Sequence, residues 1–250
     1  MIDRTTAFFL QRRRTFVEYL WKAVFSRHQA RQIAQMAAFV SPGDVVIDVG
    51  ANVGFFARGF ARAVGEEGAV LAFEPQTVPR SILAAASFFK RNQNIVLLPF
   101  ALGEARGHQT LAIPFKPKGN VGINLAHTGD TSDFEGRYRT KLELVPAARL
   151  DEVMTHFDFG RVSLIKIDVE GAELSVLKGA EGLIRRDRPI IICEIDQYGA
   201  RFGAEPTDLA SFLEQLGYRP YGLESQVLLE AEQLERNTVF KPDRALEAAL

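Results

Sequence analysis

The stretch Val45-Val46-Ile47-Asp48-Val49-Gly50-Ala51-Asn52-Val53-Gly54 decides the fold of this 250-residue chain. A short apolar run ends on an acid and turns through two glycines into a segment with helical spacing. Gly50 lets the chain turn sharply off a strand, and Gly54 lets the next helix pack close to the sheet. The stretch therefore predicts a buried strand, a tight turn and a helix, which together begin a βαβ unit.

The same alternation of strand and helix continues along the chain. The predicted strands are Val45–Val49, Ala69–Phe73, Ile95–Pro99, Leu164–Asp168 and Ile190–Ile195, with a closing hairpin of Tyr218–Leu223 and Val227–Leu229. The predicted helices are Phe55–Val64, Val78–Arg91, Leu150–Phe157, Ala172–Arg186 and Thr207–Leu216. Strands that alternate with helices of this length predict an α/β fold, with a parallel sheet covered on both faces.

Two interruptions of this pattern define the expected domain organisation. The turn Ser41-Pro42-Gly43-Asp44 separates an N-terminal helical arm, residues 1–40, from a main domain, residues 41–250. Within the main domain, residues 104–149 contain short alternating segments around the glycine-rich loop Lys118-Gly119-Asn120-Val121-Gly122-Ile123-Asn124. We expect this insertion to form a β-hairpin region that shapes the substrate site.

The composition is that of a globular protein, since 47% of the residues are hydrophobic and 24% are charged. A formal charge of −1 gives no overall electrostatic case for binding nucleic acid. The single Cys193 lies in an apolar run, which predicts a buried structural thiol and fits a reducing cytoplasm. We see no signal peptide or membrane span and expect a cytoplasmic protein.

The N-terminal arm is basic and apolar. Residues 1–31 contain seven Lys or Arg against two acids, a charge of +5, and their aromatic residues recur at helical spacing. Such a helix can make a peripheral contact with an anionic membrane or bind a partner protein. It can equally pack on its own domain or on a second subunit, and Phe8, Phe9, Phe16 and Trp21 make a homodimer plausible.

A cofactor site is predicted where the first two strands end. Glu74 ends the second strand 24 residues after Gly50, at the place where an acid accepts hydrogen bonds from ribose hydroxyls. Asn52 occupies the middle glycine of a dinucleotide fingerprint, and the chain has no phosphate-binding loop. A site with a ribose acid and no pyrophosphate cradle favours S-adenosylmethionine, with Asp48 near its ammonium group. The alternative is that Asp48 caps a helix and the glycines only shape a turn.

This first block resembles the glycine motif and acidic loop of class I S-adenosylmethionine-dependent methyltransferases. The later string Ile165-Lys166-Ile167-Asp168-Val169-Glu170-Gly171-Ala172-Glu173 is similar to the FkbM family. The same holds for Val176-Leu177-Lys178-Gly179-Ala180, Pro189–Glu194, Ala101-Leu102-Gly103 and Leu150-Asp151, and the resemblance runs from about Asp44 to Tyr221. It implies a Rossmann-like fold with a seven-stranded, mostly parallel sheet, S-adenosylmethionine as methyl donor, and O-methylation of hydroxyls. The expected cofactor-binding residues are Asp48, Gly50, Ala51, Asn52, Gly54, Phe55, Glu74, Pro75, Ala101 and Asp168.

Methyl transfer needs an aligned hydroxyl, and a base helps to remove its proton. We expect the catalytic residues to come from Asp168, Glu170, Glu194 and His127. Asp168 ends a strand, where ligands of open α/β sheets gather, and His127 follows the glycine-rich loop. For Glu173, stabilisation of a helix N-terminus is the simpler explanation. The acids, with Asp196, could bind Mg²⁺, but no histidine accompanies them at ligand spacing and we expect no metal.

The leading hypothesis is therefore a methyltransferase that uses S-adenosylmethionine to methylate a hydroxyl of a sugar, glycan or natural product. The alternative is a non-catalytic S-adenosylmethionine-binding protein that docks on a partner through its basic arm. The acids at positions 74, 168 and 194 favour the enzyme, because a site without chemistry has no need of them.

Overall fold

The structure is a computed structural model, and it describes residues 16–25, 29–90, 92–115, 127–128, 139–195 and 205–243. Its helices are residues 16–25 (α1), Ala30–Ala37 (α2), Phe55–Val64 (α3), Thr77–Lys90 (α4), Leu150–Met154 (α5), Glu173–Gly179 (α6), Glu181–Asp187 (α7) and Pro206–Gln215 (α8), with a 3₁₀ turn at Ala231–Gln233. Its strands are Val45–Val49 (β1), Ala69–Phe73 (β2), Ile95–Leu98 (β3), Ala101–Leu102 (β4), Gly107–Phe115 (β5), His127–Thr128 (β6), Arg139–Ala148 (β7), Val162–Ile167 (β8), Ile190–Glu194 (β9), Tyr218–Gly222 (β10) and Asn237–Pro242 (β11).

The main sheet has seven strands in the order β10-β11-β9-β8-β1-β2-β3. Strands β9, β8, β1, β2 and β3 are mutually parallel, whereas β11 runs antiparallel to both of its neighbours. Val49, the last residue of β1, pairs with Phe73 of β2 and Ile167 of β8. The residues that follow these three strands therefore meet at one edge of the sheet, where ligands of parallel α/β sheets bind.

Alternate side chains of the sheet enter two separate cores, as the period of two along a strand requires. Val45, Ile47 and Val49 pack with the apolar side chains of α5, α6, α7 and α8. Val46 packs on the other face with α2, α3 and α4. Every residue of β1 is buried, including Asp48, which lies on the α3 side. A charged side chain buried in the central strand requires a counter-charge or hydrogen bonds nearby.

The insertion supplies β5, β6 and β7 of a smaller four-stranded sheet in the order β4-β7-β5-β6, and β4 lies just before the insertion. Strands β5 and β7 pair antiparallel from Gly107 with Ala147 to Phe115 with Arg139, which confirms the predicted β-hairpin region. Thr77, the first residue of α4, donates from its backbone N–H to Glu143 Oε1 of β7 at 2.8 Å. The hairpin is thereby attached next to the end of β2. The glycine-rich loop at residues 118–124 lies outside the described residues.

Two predictions of secondary structure were wrong. The helix expected over residues 172–186 is divided into α6 and α7, because Asp151 accepts hydrogen bonds from the N–H groups of Gly182 and Leu183 and starts a new helix there. The hairpin expected between Tyr218–Leu223 and Val227–Leu229 does not close the sheet. Strand β10 pairs instead with β11, and residues 227–229 contribute one isolated bridge between Leu228 and Tyr221.

Candidate active site

A cavity of about 520 Å³ lies at the carboxyl edge of the main sheet. Its walls come from the ends of β1, β2, β8 and β9, from β4 and β5 of the smaller sheet, and from α1. Because the strand order is β9-β8-β1-β2-β3, Glu194 and Phe100 lie towards opposite ends of this cavity. The turn after β1 lies between them.

The turn after β1 is packed backbone to backbone against the end of β8. Gly50 has a φ of 78°, and a Cβ atom there would lie 1.9 Å from the carbonyl oxygen of Asp168. The N–H groups of Gly50 and Ala51 both donate to the carbonyl oxygen of Phe73, each at 3.0 Å. Glycine is therefore required at position 50 for conformation and for space.

Glu74 is a buried carboxylate in the cavity wall. Its Oε2 accepts a hydrogen bond from the N–H of Asn52, and its Oε1 accepts one from the N–H of Gln76, both at 2.8 Å. Burial raises the pKa of Glu74 to about 7, although these two bonds and the charge of Arg80 oppose the rise. Each oxygen of a carboxylate can accept a second hydrogen bond, so Glu74 is suited to receive two hydroxyl groups from a ligand.

A second cluster of charges surrounds Lys166, whose role the sequence did not reveal. Its Nζ lies 3.0 Å from Asp168 Oδ2 and 3.6 Å from Asp48 Oδ1, and 4.7 Å from the ring centroid of Phe56. Burial alone would lower the pKa of Lys166, but Asp168 and Asp48 outweigh it and raise the pKa well above its usual value. Lys166 thus stays protonated. Its ammonium group balances the negative charge of Asp48 and orients the carboxylate of Asp168 at the cavity wall.

Glu194 lies at the end of the cavity formed by β9. Its Oε1 accepts a hydrogen bond from Arg236 Nε at 2.7 Å, and both side chains line the cavity. Burial raises the pKa of Glu194 above its ordinary value, the charge of Asp168 adds to the rise, and Arg236 opposes it. A carboxylate with a raised pKa is a stronger base, which suits proton removal near neutral pH.

The structure brings most of the predicted site residues to this one cavity. Those in its walls are Gly50, Ala51, Asn52, Phe55, Glu74, Pro75, Ala101, Asp168, Glu170 and Glu194. Asp48 is fully buried, lies outside the described wall and contacts Lys166. Its expected place beside a ligand's ammonium group stays a prediction. Gly54 shapes the start of α3 rather than the wall, because a Cβ there would meet Leu83 Cδ1 at 2.1 Å. The backbone of His127 pairs with Ala112, and its side chain lies outside what the structure describes.

Glu173 acts on the turn before its own helix and is not a wall residue. Its Oε1 accepts hydrogen bonds from the N–H groups of Val169 at 3.2 Å and Gly171 at 3.1 Å. These bonds hold the segment in which Glu170 adopts a φ of 56°. The carboxylate of Glu173 therefore fixes the backbone that presents Asp168 and Glu170 to the cavity.

Several wall residues belong to no motif that the sequence analysis identified. They include Phe56, Gln76, Phe100, Gln109 and Arg236 of the main domain, and Tyr19, Lys22 and Gln29 of the arm. Phe56 and Phe100 were visible only as apolar residues near a strand end. The contribution of α1 could not be read locally, because it depends on how the arm packs on the domain.

The walls suit a cationic nucleoside better than a phosphate ligand. Four wall residues are acids, namely Glu74, Asp168, Glu170 and Glu194, against three cations, Lys22, Lys166 and Arg236. A buried carboxylate at Glu74 would repel a phosphate, whereas the sulfonium and ammonium groups of S-adenosylmethionine are positively charged. Among the described residues, no group of three or more His, Cys, Asp or Glu side chains is arranged to hold a metal ion.

Comparison with known proteins gives consistent matches. The model of the methyltransferase FkbM domain matches residues 48–220. The 31-O-demethyl-FK506 methyltransferase FkbM of Streptomyces tacrolimicus is 29% identical over 188 residues, which cover 66% of this chain and 68% of that protein. The 2-O-methyltransferase NoeI of Sinorhizobium fredii is 26% identical over 239 residues, covering 90% of this chain and 93% of that protein.

The fold is shared with a solved protein. The crystal structure of an FkbM methyltransferase from Methylobacillus flagellatus matches with a TM-score of 0.51 at 16% identity, over 94% of this chain and 58% of that one. The chain thus spans less than two thirds of that protein's length. The match and the sheet order confirm the predicted Rossmann-like class I methyltransferase fold. No helix within the described ranges is long and apolar enough to cross a membrane.

Proposed function

We propose that this chain, which belongs to the FkbM methyltransferase family, transfers a methyl group from S-adenosylmethionine to a hydroxyl oxygen of a small-molecule or glycan acceptor. The observation that carries the proposal is the cavity at the sheet edge, with Glu74 on one side of the β1 turn and Asp168 and Glu194 on the other. The names of the Streptomyces and Sinorhizobium relatives, both of which state O-methylation, support a hydroxyl as acceptor.

In this proposal, the strand order sets the direction in which the cofactor lies. Glu74, which follows β2, would accept hydrogen bonds from the ribose hydroxyls, and Phe100, Ala101 and Gln109 would hold the adenine. The turn after β1 and Asp168, which line the same cavity, would hold the methionine part. When bound, S-adenosylmethionine supplies an electrophilic methyl group on a sulfonium that leaves without needing a proton.

The chain's own residues then have to position and deprotonate the acceptor. Asp168, oriented by Lys166 at 3.0 Å, holds the acceptor hydroxyl by a hydrogen bond. Glu194 takes the hydroxyl proton, because its pKa is raised and it lines the same end of the cavity. Alignment contributes a large part of the rate, and a positioned base adds about 10²- to 10⁴-fold.

The test is methyl transfer from ¹³C-methyl-labelled S-adenosylmethionine to a panel of hydroxylated acceptors, with the product followed by NMR. We expect a methyl resonance on oxygen, together with stoichiometric S-adenosylhomocysteine, and its loss in Glu194→Gln. A label found on nitrogen, sulfur or carbon contradicts O-methylation. Tight binding of S-adenosylhomocysteine without transfer to any acceptor would instead favour the non-catalytic partner protein.

A further inference from the structure

Helix α1 and the end of α4 expose five large apolar side chains to solvent. They are Val17, Trp21 and Phe25 on α1, with 64%, 66% and 61% of their surface exposed, and Phe88 and Phe89 on α4, with 81% and 64% exposed. We name these five residues the apolar face. Scattered single apolar residues are ordinary on a protein surface, but a cluster of this size marks an interaction site.

The exposed side chains of α1 share one side of that helix, and the end of α4 lies beside it. Val17, Trp21 and Phe25 are four residues apart and share one side of α1, and the rings of Trp21 and Phe25 are 4.3 Å apart. Lys90 Nζ lies 5.6 Å from the ring centroid of Phe25, which places the end of α4 beside the end of α1. The rings of Phe88 and Phe89, 6.0 Å apart, precede this lysine directly.

Among the described residues, none of the five side chains of the apolar face belongs to a buried core. The opposite side of α1, through Tyr19, Leu20 and Ala23, packs on Val53, Ile82 and Ile113 of the main domain. Helix α1 is therefore apolar on two sides, and among residues 16–25 only Glu18 and Lys22 are charged. A helix with this pattern is stable in water only when something covers its second apolar side.

Basic residues flank the two segments of the apolar face in the sequence. Residues 1–31 carry +5 although the whole chain carries −1. In the sequence, Arg12-Arg13-Arg14 ends two positions before Phe16, and Lys90-Arg91 follows Phe88-Phe89. Both segments that expose aromatic rings are thus flanked by basic residues, which is the combination found in helices that lie in the interface of an anionic membrane.

We propose that the apolar face docks on an anionic lipid surface, with its rings at the boundary between head groups and acyl chains and the flanking basic residues on the head groups. Trp21 suits this boundary because the indole ring is largely apolar and carries one polar N–H. Each basic residue near such a surface strengthens partitioning by about fivefold. Tyr19 and Lys22 on the same helix line the cavity, so docking places the cavity beside the bilayer.

Trp21 is the single tryptophan of the chain, so its fluorescence reports on the apolar face alone. The full chain is titrated with vesicles of phosphatidylcholine, with and without phosphatidylglycerol, and with vesicles that carry brominated acyl chains. We expect a blue shift of the emission with the anionic vesicles, quenching by the bromine atoms, and a loss of both when salt is added. The measurement needs no acceptor, so it is independent of the proposed function.

The variant Phe88→Ser/Phe89→Ser keeps the reporter and changes only exposed positions, so its fold is retained. We expect it to partition at least about tenfold more weakly, since each lost ring removes apolar area from the bilayer. The matched control is Val227→Ser/Leu228→Ser, which removes two exposed apolar side chains elsewhere and should bind as the wild type does. Circular dichroism and S-adenosylhomocysteine binding check the fold of both.

Three results would overturn the proposal. The first is an emission spectrum that anionic vesicles leave unchanged. The second is equal partitioning into neutral and anionic vesicles. The third is a blue shift that follows protein concentration without lipid, which would assign the apolar face to a second copy of the chain.

Discussion

The raised pKa of Glu74 predicts that the affinity for the ligand depends on pH. Its pKa is raised to about 7 by burial, and two ribose hydroxyls can both donate to it only when it is ionised. Between about pH 8 and pH 6, the ionised fraction falls from roughly nine tenths to one tenth. The affinity for S-adenosylhomocysteine should therefore fall about tenfold, because at the lower pH binding must first remove a proton.

Calorimetric titration in two buffers of different ionisation enthalpy measures both the affinity and the protons released. We expect close to one proton released per ligand at about pH 6, half a proton near pH 7 and almost none at about pH 8. S-adenosylhomocysteine is the suitable ligand, because its own groups do not titrate in this range. The charges that act on the pKa of Glu74 are those of Arg80 and Asp48, and the variant Glu74→Gln retains both side chains.

Glu74→Gln should bind S-adenosylhomocysteine more weakly by roughly ten- to a hundredfold, since hydrogen bonds to a charged acceptor are the stronger ones. Its affinity should no longer depend on pH between about 6 and 8. The free energy of unfolding should change with pH in the opposite sense. Because the pKa of Glu74 is raised in the folded state, the wild type should lose up to about 3 kcal/mol of stability as the pH rises from about 4.5 to 7. The variant Glu74→Gln should lose less. An affinity of the wild type that stays constant across this range would refute the assignment of Glu74 to the ribose.

Three further predictions concern the rest of the site. Lys166→Met should lower the free energy of unfolding, measured in urea, by about 3–5 kcal/mol, because Asp48 is left buried without its counter-charge. The double variant Lys166→Met/Asp48→Asn should regain most of this stability. A double variant that regains none would contradict the pairing of Asp48 with Lys166. Asp151→Ala should cost about 1–2 kcal/mol by removing the start of α7, with ligand affinity unchanged. Glu194→Gln should lower kcat by about 10²- to 10⁴-fold while S-adenosylhomocysteine affinity changes less than about twofold, and an unchanged kcat would exclude Glu194 as base.

The sequence predicted those features that depend on neighbouring residues. The glycines after β1 and the acids after β2 and β8 follow their strands directly, so parallel pairing was enough to bring Gly50, Glu74 and Asp168 to one edge. Glycines in the strings that resemble the FkbM family also have a structural reason. Gly179 is needed because a Cβ there would lie 2.0 Å from the carbonyl oxygen of Gly103, and both residues belong to the strings that resembled the FkbM family.

What the sequence missed depends on contacts between distant segments. Asp48 and Lys166 are 118 positions apart and face each other only because β1 and β8 are adjacent in a register that pairs these two residues. Arg236 reaches Glu194 because β11 inserts between β9 and β10. The same insertion explains the wrong hairpin, since residues 227–229 were nearer in sequence to β10 than its true partner.

The pair of Asp48 and Lys166 contributes more to the placement of Asp168 than to the stability of the fold. Removing two charges from water costs several kcal/mol each, and an apolar pair of similar volume is often equally stable. Lys166 also contacts Asp168, however, and Asp168 is in the cavity wall whereas Asp48 is not. Asp48 and the ring of Phe56 also contact the ammonium, so the carboxylate of Asp168 is fixed in one orientation. A buried acid outside the described cavity wall thereby helps to fix where the acid that lines the cavity points.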